Sequence, residues 1–339
     1  PTRMRGMGSK KTVVVLCLFL CCLSAVGSEL QTNTVPGAVF TFTEENDLFI
    51  KTDRHYTQGL KFSYLFEDDF VPHWLANASD KLPSFGLHTD HHKMGFAIGQ
   101  NIFTPADLKT SAPILDDRPY AGWLYGSMIF QRRGTFIGTV PTLDNYELSL
   151  GVVGPASFAE DAQKKVHQIR GLDIPQGWDN QLRTEPGLMV RYTRLWLFRA
   201  GEEFSADAIP DVGFALGNIG TFANAGVTFR LGYHVPTDFG PAIIDAPAAD
   251  SGVDRKKWGA YVFTGVDGKA VGYNEFLDGT LFRSSQSVDR NILVGEARAG
   301  AVFVLKTCEI SYTYVVRSHE FHQQKQNDIF GSLSLKFRF

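Results

Sequence analysis

The sequence predicts an all-β protein, a transmembrane antiparallel β-barrel of about twelve strands that carries a short external helix. Three observations lead to this fold class: apolar and polar residues alternate in many segments, the last such segment ends on phenylalanine, and no run after position 28 approaches ~18 consecutive apolar residues. Alternation marks a strand with one apolar face, and a closed barrel lets such strands cross a bilayer without unpaired edges.

Composition excludes two broad classes of protein. Hydrophobic residues make up 44% of the 339 positions, charged residues 20%, and the mean hydropathy is -0.10, which excludes both a polytopic helical membrane protein and a disordered chain. The 33 glycines and 27 phenylalanines favour sheets joined by tight turns. The net charge of -3 indicates no nucleic-acid partner.

The first 27 residues have the features of a secretory signal peptide, so we divide the chain into a leader, 1–27, and an outer-membrane β-barrel domain, 28–339. Basic residues precede an apolar run at 12–23, which is too short for a membrane anchor, and small residues follow it. Only Cys308 lies beyond this leader, so we expect no intrachain disulfide in the exported protein.

Alternation is clearest at the C-terminus, where every second residue from Leu333 to Phe339 is apolar and the chain ends on the aromatic ring. The same pattern predicts twelve strands: 38–48, 56–66, 92–102, 123–132, 143–153, 186–198, 205–216, 222–234, 258–272, 289–305, 308–317 and 328–339. An even number places both ends of the barrel on the periplasmic side, so the first connection and every second one after it are external. Two predicted periplasmic connections, 67–91 and 235–257, are longer than the expected short turns and leave room for further structure.

The external connection at 154–185 contains the predicted helix. Ser157 and Glu160 have the spacing of a capping box, and Gly171 supplies a stop, so we expect a helix over about 157–170. Gln163 and His167 are four residues apart and therefore share one face of it. Asp173 follows just beyond the helix end.

Polar residues at the ends of the first two strands belong to the same external rim. Asn46, Asp47 and Thr57 lie there, together with His167 from the helix. A histidine held by a carboxylate can take a proton from water, and carboxylate or amide oxygens suit calcium, which can polarise an ester carbonyl. This set predicts an ester hydrolase without a serine nucleophile. The alternative is a solvated loop, or an acidic rim that bridges lipopolysaccharide phosphates through divalent ions.

Several segments, in order along nearly all of the mature chain, resemble the lipid A 3'-O-deacylase (LpxR) family of bacterial outer-membrane proteins. The matching segments are Glu45-Asn46-Asp47 with Phe49, Tyr56-Thr57-Gln58-Gly59, the run Asp117 to Trp123, Gly154-Pro155 with Gln163, His167 and Gly171, Tyr273-Asn274 and Leu277-Asp278-Gly279. Their shared order is more specific than any single motif.

The resemblance implies a twelve-stranded barrel in the bacterial outer membrane that uses calcium and removes the 3'-linked acyloxyacyl group of lipid A. It implies that His167 is the general base, that Asp47 belongs to the calcium site, and that further site positions are Asn46, Thr57, Gln163, Asp173 and Lys109. Asp173 stands where the characterised deacylases have Glu. The expected partners are lipid A and the membrane, with the protein a monomer.

Two other functions stay open from the sequence: an outer-membrane phospholipase, and a non-catalytic structural or porin-like barrel. A phospholipase normally pairs a serine with its histidine, and no serine adjoins His167 in the sequence. No phosphate-binding glycine loop and no Gly-x-Ser-x-Gly turn occurs, which disfavours nucleotide use and soluble esterase folds.

Overall fold

The structure is a computed structural model that describes residues 37–47, 55–67, 70–244 and 258–339. Within these ranges, thirteen strands form one antiparallel sheet. They are β1 Val39–Asn46, β2 His55–Leu65, β3 Leu87–Thr104, β4 Ala121–Phe136, β5 Val140–Val153, β6 Glu185–Trp196, β7 Phe198–Ala200, β8 Phe204–Gly217, β9 Gly220–Tyr233, β10 Gly259–Asn274, β11 Leu293–Val304, β12 Cys308–Arg317 and β13 Asp328–Arg338. The helices are α1 His73–Ser79, α2 Ala159–Arg170 and α3 Glu275–Asp278, and two short 3₁₀ turns lie at Pro155–Ser157 and Trp178–Asn180. None of the helices in the described part is long and apolar enough to cross a membrane.

The sheet closes into a barrel because β1 pairs with β13 and β6 pairs with β8. The three-residue β7 follows β6 in the chain and, like β6, pairs with β8. The two strands therefore share one place in the wall, which has twelve strand positions. The predicted twelve-stranded barrel is therefore confirmed. The largest differences are at three strand ends: β3 begins at Leu87 rather than at 92, β4 ends at Phe136 rather than at 132, and β11 begins at Leu293 rather than at 289. Arg290 lies before β11 and forms an isolated β-bridge with Phe321.

The two faces of the wall have opposite character, as the alternation predicts. Large apolar side chains such as Phe62, Phe96 and Ile98 are exposed on the outer face. The inner face carries buried charges that meet as pairs across the lumen, of which Lys61 and Glu147, 2.9 Å apart, are one. Charges removed from water need such partners, so ion pairs fill part of the interior beside apolar clusters, one of which contains Leu143, Leu195, Leu197, Ile209 and Phe239.

The connection after β9 enters the lumen. We call residues 235–244 the lumen segment. Asp238 is fully buried and forms ion pairs with Arg230 and Lys336 on the wall. Farther along, the backbone N–H of Ile244 donates to the Glu45 carboxylate at 2.8 Å, close to the outer end of β1. The segment thus runs inside the barrel from the periplasmic end toward the outer end; residues 245–257 of the predicted connection lie outside the described part.

The other long periplasmic connection, predicted at 67–91, takes a different route. It contains α1 and the first residues of β3, and it folds back onto the outer face of the wall. We call residues 66–86 the wall segment; the structure describes them except for 68 and 69. Both long connections therefore contain structure that the alternation pattern does not indicate.

Candidate active site

The external helix is present, but its start differs from the prediction. Helix α2 begins at Ala159, not at Ser157, and no side chain caps its N-terminus. Gly154, at φ 81°, precedes a 3₁₀ turn that ends at Ser157. Within this turn the Ser157 hydroxyl donates to the Gly154 carbonyl at 2.6 Å instead of capping α2. The predicted capping box is therefore wrong. The predicted stop at Gly171 is confirmed, with φ 68°, the left-handed conformation that favours glycine.

Close packing holds α2 against the outer face of β3 and β4. A Cβ atom at Gly122 would lie only 2.1 Å from the Ala159 Cβ and 2.3 Å from the Ser157 Oγ, so this approach requires glycine. Gln100 also donates its amide N–H to the Ser157 carbonyl at 2.6 Å. The start of the helix is thereby fixed at the outer end of the wall, and Ile102, Tyr120, Ala159 and Trp178 pack as one buried apolar cluster beneath it.

The face of α2 turned toward the wall carries Gln163 and His167, and both side chains are buried. The indole N–H of Trp178 donates to Gln163 Oε1 at 2.8 Å, which sets the orientation of that amide. The Nδ1 atom of His167 lies 2.6 Å from the backbone carbonyl oxygen of Asp173. A carbonyl oxygen can only accept, so Nδ1 carries the proton and Nε2 is the basic nitrogen.

Asp173 therefore orients the histidine through its backbone, not through its carboxylate. The carboxylate points to the surface, where Oδ2 lies 3.0 Å from Lys109 Nζ, and both side chains are 80% exposed. The hydrogen bond and the charge of Asp173 raise the pKa of Lys109 above its ordinary value. The pair thus lies outside the buried part of the site, and an aspartate in place of glutamate leaves the contact with His167 unchanged.

The remaining predicted site residues lie at the outer ends of β1 and β2, and all three are buried: Asn46, Asp47 and Thr57. Thr57 is the extra residue of a β-bulge between Tyr56 and Gln58. The bulge lets Tyr56 face the lumen while the Thr57 hydroxyl meets that of Thr104 at 2.7 Å. Bulges often aim a side chain in this way beside functional sites.

These groups come to the same end of neighbouring strands. Strands β1, β2 and β3 are consecutive in the sheet and α2 lies over β3 and β4, so Asn46 and the helix are separated by about 10 Å, two strand spacings. In the described ranges no three His, Cys, Asp or Glu side chains are arranged so that they could hold a metal ion. Calcium does not require such a cluster, and the oxygens of Asp47, Asn46 and Thr57 are the hard donors that it prefers.

Sequence reasoning missed the contacts of three supporting residues. Trp178 and Thr104 orient Gln163 and Thr57, yet neither belongs to a recognisable motif. His55 fixes the start of β2, with Nδ1 at 2.5 Å from Asp328 and Nε2 at 3.4 Å from Asp117. Asp117 belongs to the run Asp117 to Trp123 that carried the resemblance, which was the available signal. Burial raises the pKa of Asp117, but hydrogen bonds from His55 and from backbone N–H groups outweigh it and hold the pKa below its ordinary value.

The profile of the family described as outer membrane protein LpxR matches residues 13–339. The chain belongs to the LpxR family. Among solved structures, LpxR from Salmonella typhimurium superposes with a TM-score of 0.71 at 19% identity, over 89% of this chain and 100% of that one. At that identity the likeness concerns the fold. No protein with a curated description matches the sequence.

Two autotransporter domains resemble the barrel more distantly. They are the NalP translocator domain from Neisseria meningitidis, with a TM-score of 0.42 at 12% identity over 97% of this chain and 98% of that one, and the β domain of Bordetella BrkA, with 0.43 at 10% over 91% and 100%. As a member of the LpxR family, the protein is a bacterial outer-membrane β-barrel, and its membership supports a role in lipid A remodelling.

Proposed function

We propose that this protein is a calcium-dependent ester hydrolase that removes the 3'-linked acyloxyacyl group of lipid A in the outer leaflet. The observation that carries the proposal is the contact between His167 Nδ1 and the Asp173 carbonyl, which leaves Nε2 as a base on the buried face of an external helix. Family membership supports lipid A as the substrate class. No group in this mechanism requires a serine nucleophile.

In the proposed reaction, His167 acts first as a general base and then as a general acid. Nε2 takes a proton from water as the water oxygen attacks the ester carbonyl carbon, and the imidazolium returns that proton to the 3' oxygen as the ester C–O bond breaks. Gln163 has a second role. Its Oε1 is held by Trp178, while its buried Nε2 has no hydrogen-bond partner among the described residues and so can donate to the ester or to the attacking water.

Asp47 would hold calcium with oxygens from Asn46 and Thr57. Calcium held there would supply Lewis-acid chemistry, which would polarise the ester carbonyl and stabilise the negative charge that develops on its oxygen. The protein's own contribution is to bury these donors at adjacent strand ends, where the wall and the Thr57 bulge fix their positions. Lys109, exposed at the edge of the site beside Asp173, is the cation that would meet the negatively charged headgroup of the substrate.

The test is a mass spectrum of lipid A from a host whose lipid A carries the 3' acyloxyacyl chain and which has no such activity. Expression of the full chain is expected to remove that chain, and His167→Ala is expected to leave it in place. Gln168→Ala is the matched control, because it changes the next, exposed residue of the same helix. No deacylation by the unaltered protein would reject the activity, and deacylation by an inserted His167→Ala variant would reject the base.

The same preparations separate the two alternatives. Purified protein given both phospholipid and lipid A should release acyl chains from lipid A only, whereas release from phospholipid would favour a phospholipase. The lumen segment disfavours a porin, because Asp238 and Ile244 are bound inside the barrel to opposite ends of the wall. We therefore expect no steady ion conductance in planar bilayers.

A further inference from the structure

The wall segment is attached to the outer face of the barrel by its polar backbone. Arg132 donates to the carbonyls of Ser79 at 3.0 Å and Pro83 at 3.2 Å. Arg194 donates to the carbonyls of Ser84 at 2.7 Å and Phe85 at 3.0 Å. These four bonds use carbonyl groups on the side of the segment that faces the wall.

The two arginines need this cover. Both lie on the outer face of β4 and β6, and both bind Asp144 of β5, at 2.8 Å for Arg132 Nη2 and 2.6 Å for Arg194 Nε. A charged cluster on the lipid-facing side of a barrel is costly when it meets hydrocarbon. The wall segment removes that cost, because all three side chains are buried beneath it.

The segment also exposes four large apolar side chains, beside polar residues such as Asp80 and Lys81. They are Phe70 at 61% exposure, Trp74 at 72%, Leu82 at 44% and Phe85 at 69%, the last with its ring over the Arg194 guanidinium. An exposed group of this kind marks an interaction surface rather than ordinary solvent contact.

A chain of aromatic rings joins this patch to the lipid-facing belt of the barrel. Tyr64 and Phe96 face outward on β2 and β3, and the ring of Phe66 lies 5.1 Å from the first and 6.0 Å from the second. Phe66 in turn stacks on Phe70 at 4.3 Å. The exposed patch is therefore continuous with the surface that contacts lipid.

We propose that the wall segment is an interfacial anchor whose exposed apolar side chains insert into the inner, phospholipid leaflet of the outer membrane. The segment leaves the periplasmic end of β2, so the leaflet beside it is the inner one. A segment that exposes apolar side chains with tryptophan, fastened by polar groups beneath, has the composition expected at the boundary between headgroups and acyl chains. This inference does not depend on the proposed enzymatic activity.

Spin-label accessibility in phospholipid vesicles tests the anchor. Trp74→Cys and, separately, Leu82→Cys are made in the exported chain, 28–339, with Cys308→Ser, so that each variant has one cysteine. Each is labelled and reconstituted in phosphatidylethanolamine and phosphatidylglycerol. Both labels are expected to be several-fold more accessible to oxygen than to a water-soluble nickel chelate. His88→Cys, whose native side chain is 81% exposed near the start of β3, is the control expected to favour the nickel chelate.

Two results would overturn the proposal. Labels at 74 and 82 that behave like the label at 88 would place the segment in water, and labels shielded from both reagents would mean that protein covers the patch. If the cysteine variants do not insert, Trp74→Phe is a milder change. Lipids brominated near the headgroup should then quench measurably less fluorescence in Trp74→Phe than in the unaltered protein, and equal quenching would also reject the anchor.

Discussion

Two of the buried polar regions of the barrel, the lumen and the outer site, differ in how charge is used. In the lumen, charges of opposite sign meet in pairs, such as Lys336 with Glu309 at 3.0 Å and Arg230 with Asp207 at 2.6 Å. The outer site beneath α2 is built instead from amide, hydroxyl and imidazole groups next to Asp47. The paired charges bind the wall to the lumen segment and are not available to a substrate. The neutral groups of the outer site are oriented by hydrogen bonds and can act on a substrate.

The largest effect that separates the regions is expected at His167. His167→Ala should reduce the rate of deacylation by about 100- to 10,000-fold, the usual contribution of a general base. Its unfolding midpoint should shift little, because α2 lies outside the closed sheet. Initial rates on purified lipid A and thermal unfolding in detergent measure the two effects. A large loss of stability would mean that the site, like the lumen, is structural.

The converse is expected at Arg230. Arg230→Leu leaves Asp207 and Asp238 buried with less compensation, and breaking a buried ion pair from one side costs about 3–5 kcal/mol of unfolding free energy. The double variant Arg230→Leu with Asp238→Leu should recover part of that loss, since it removes charge of both signs. Urea unfolding of the inserted barrel measures both. A double variant less stable than the single one would contradict the pairing.

Metal dependence should distinguish the regions next. EDTA is expected to abolish deacylation and leave the unfolding midpoint of the barrel unchanged, with calcium restoring the rate. Asp47→Asn should raise the calcium concentration needed for half-maximal rate by at least about 10-fold, because it removes the charged donor. The control is Asp173→Asn, whose carboxylate is exposed. Full activity in excess EDTA would remove calcium from the mechanism.

One carboxyl group at the outer mouth departs from the pairing seen in the lumen. Burial and the charge of Glu185 raise the pKa of Glu275 to about 8. The folded protein therefore keeps a proton that the unfolded chain loses above its ordinary value, 4.5, so stability should fall as pH rises from about 4.5 to 8. Glu275→Gln should remove that slope while changing little at pH 4.5. Unfolding midpoints across this range give the answer, and an unchanged slope would contradict it.

The smallest effect is expected at Asp173. The backbone carbonyl of Asp173, not its carboxylate, accepts the hydrogen bond from His167. Both Asp173→Asn and Asp173→Glu should therefore keep the rate within about threefold of the unaltered protein, a smaller change than the loss of one hydrogen bond would cause. The comparison is made on the same lipid A substrate. If Asp173→Asn fell as far as His167→Ala, the carboxylate would have a direct role.

Local pattern was sufficient for the parts of the fold that depend on neighbours in sequence. Alternation located all twelve wall strands, a spacing of four placed Gln163 and His167 on one helical face, and Gly171 marked the helix end. The capping box failed because Ser157 had a competing backbone partner, the Gly154 carbonyl, and that partner depends on the turn before it. The atoms that Asp173 uses could not be inferred from its residue type, since a backbone contact leaves no trace in sequence.

The two long periplasmic connections show where such reasoning ends. Both are too long for turns, yet one enters the lumen through Asp238 and the other covers Arg132 and Arg194 on the outer face. Their routes depend on charges that are distant in sequence and become neighbours only when the sheet closes. The sequence by itself determined a twelve-stranded barrel and the residues of its outer rim, because period and spacing are local. Tertiary structure alone decided which charges pair, which segment fills the lumen and which side of the wall holds the site, because those outcomes depend on contacts between distant strands.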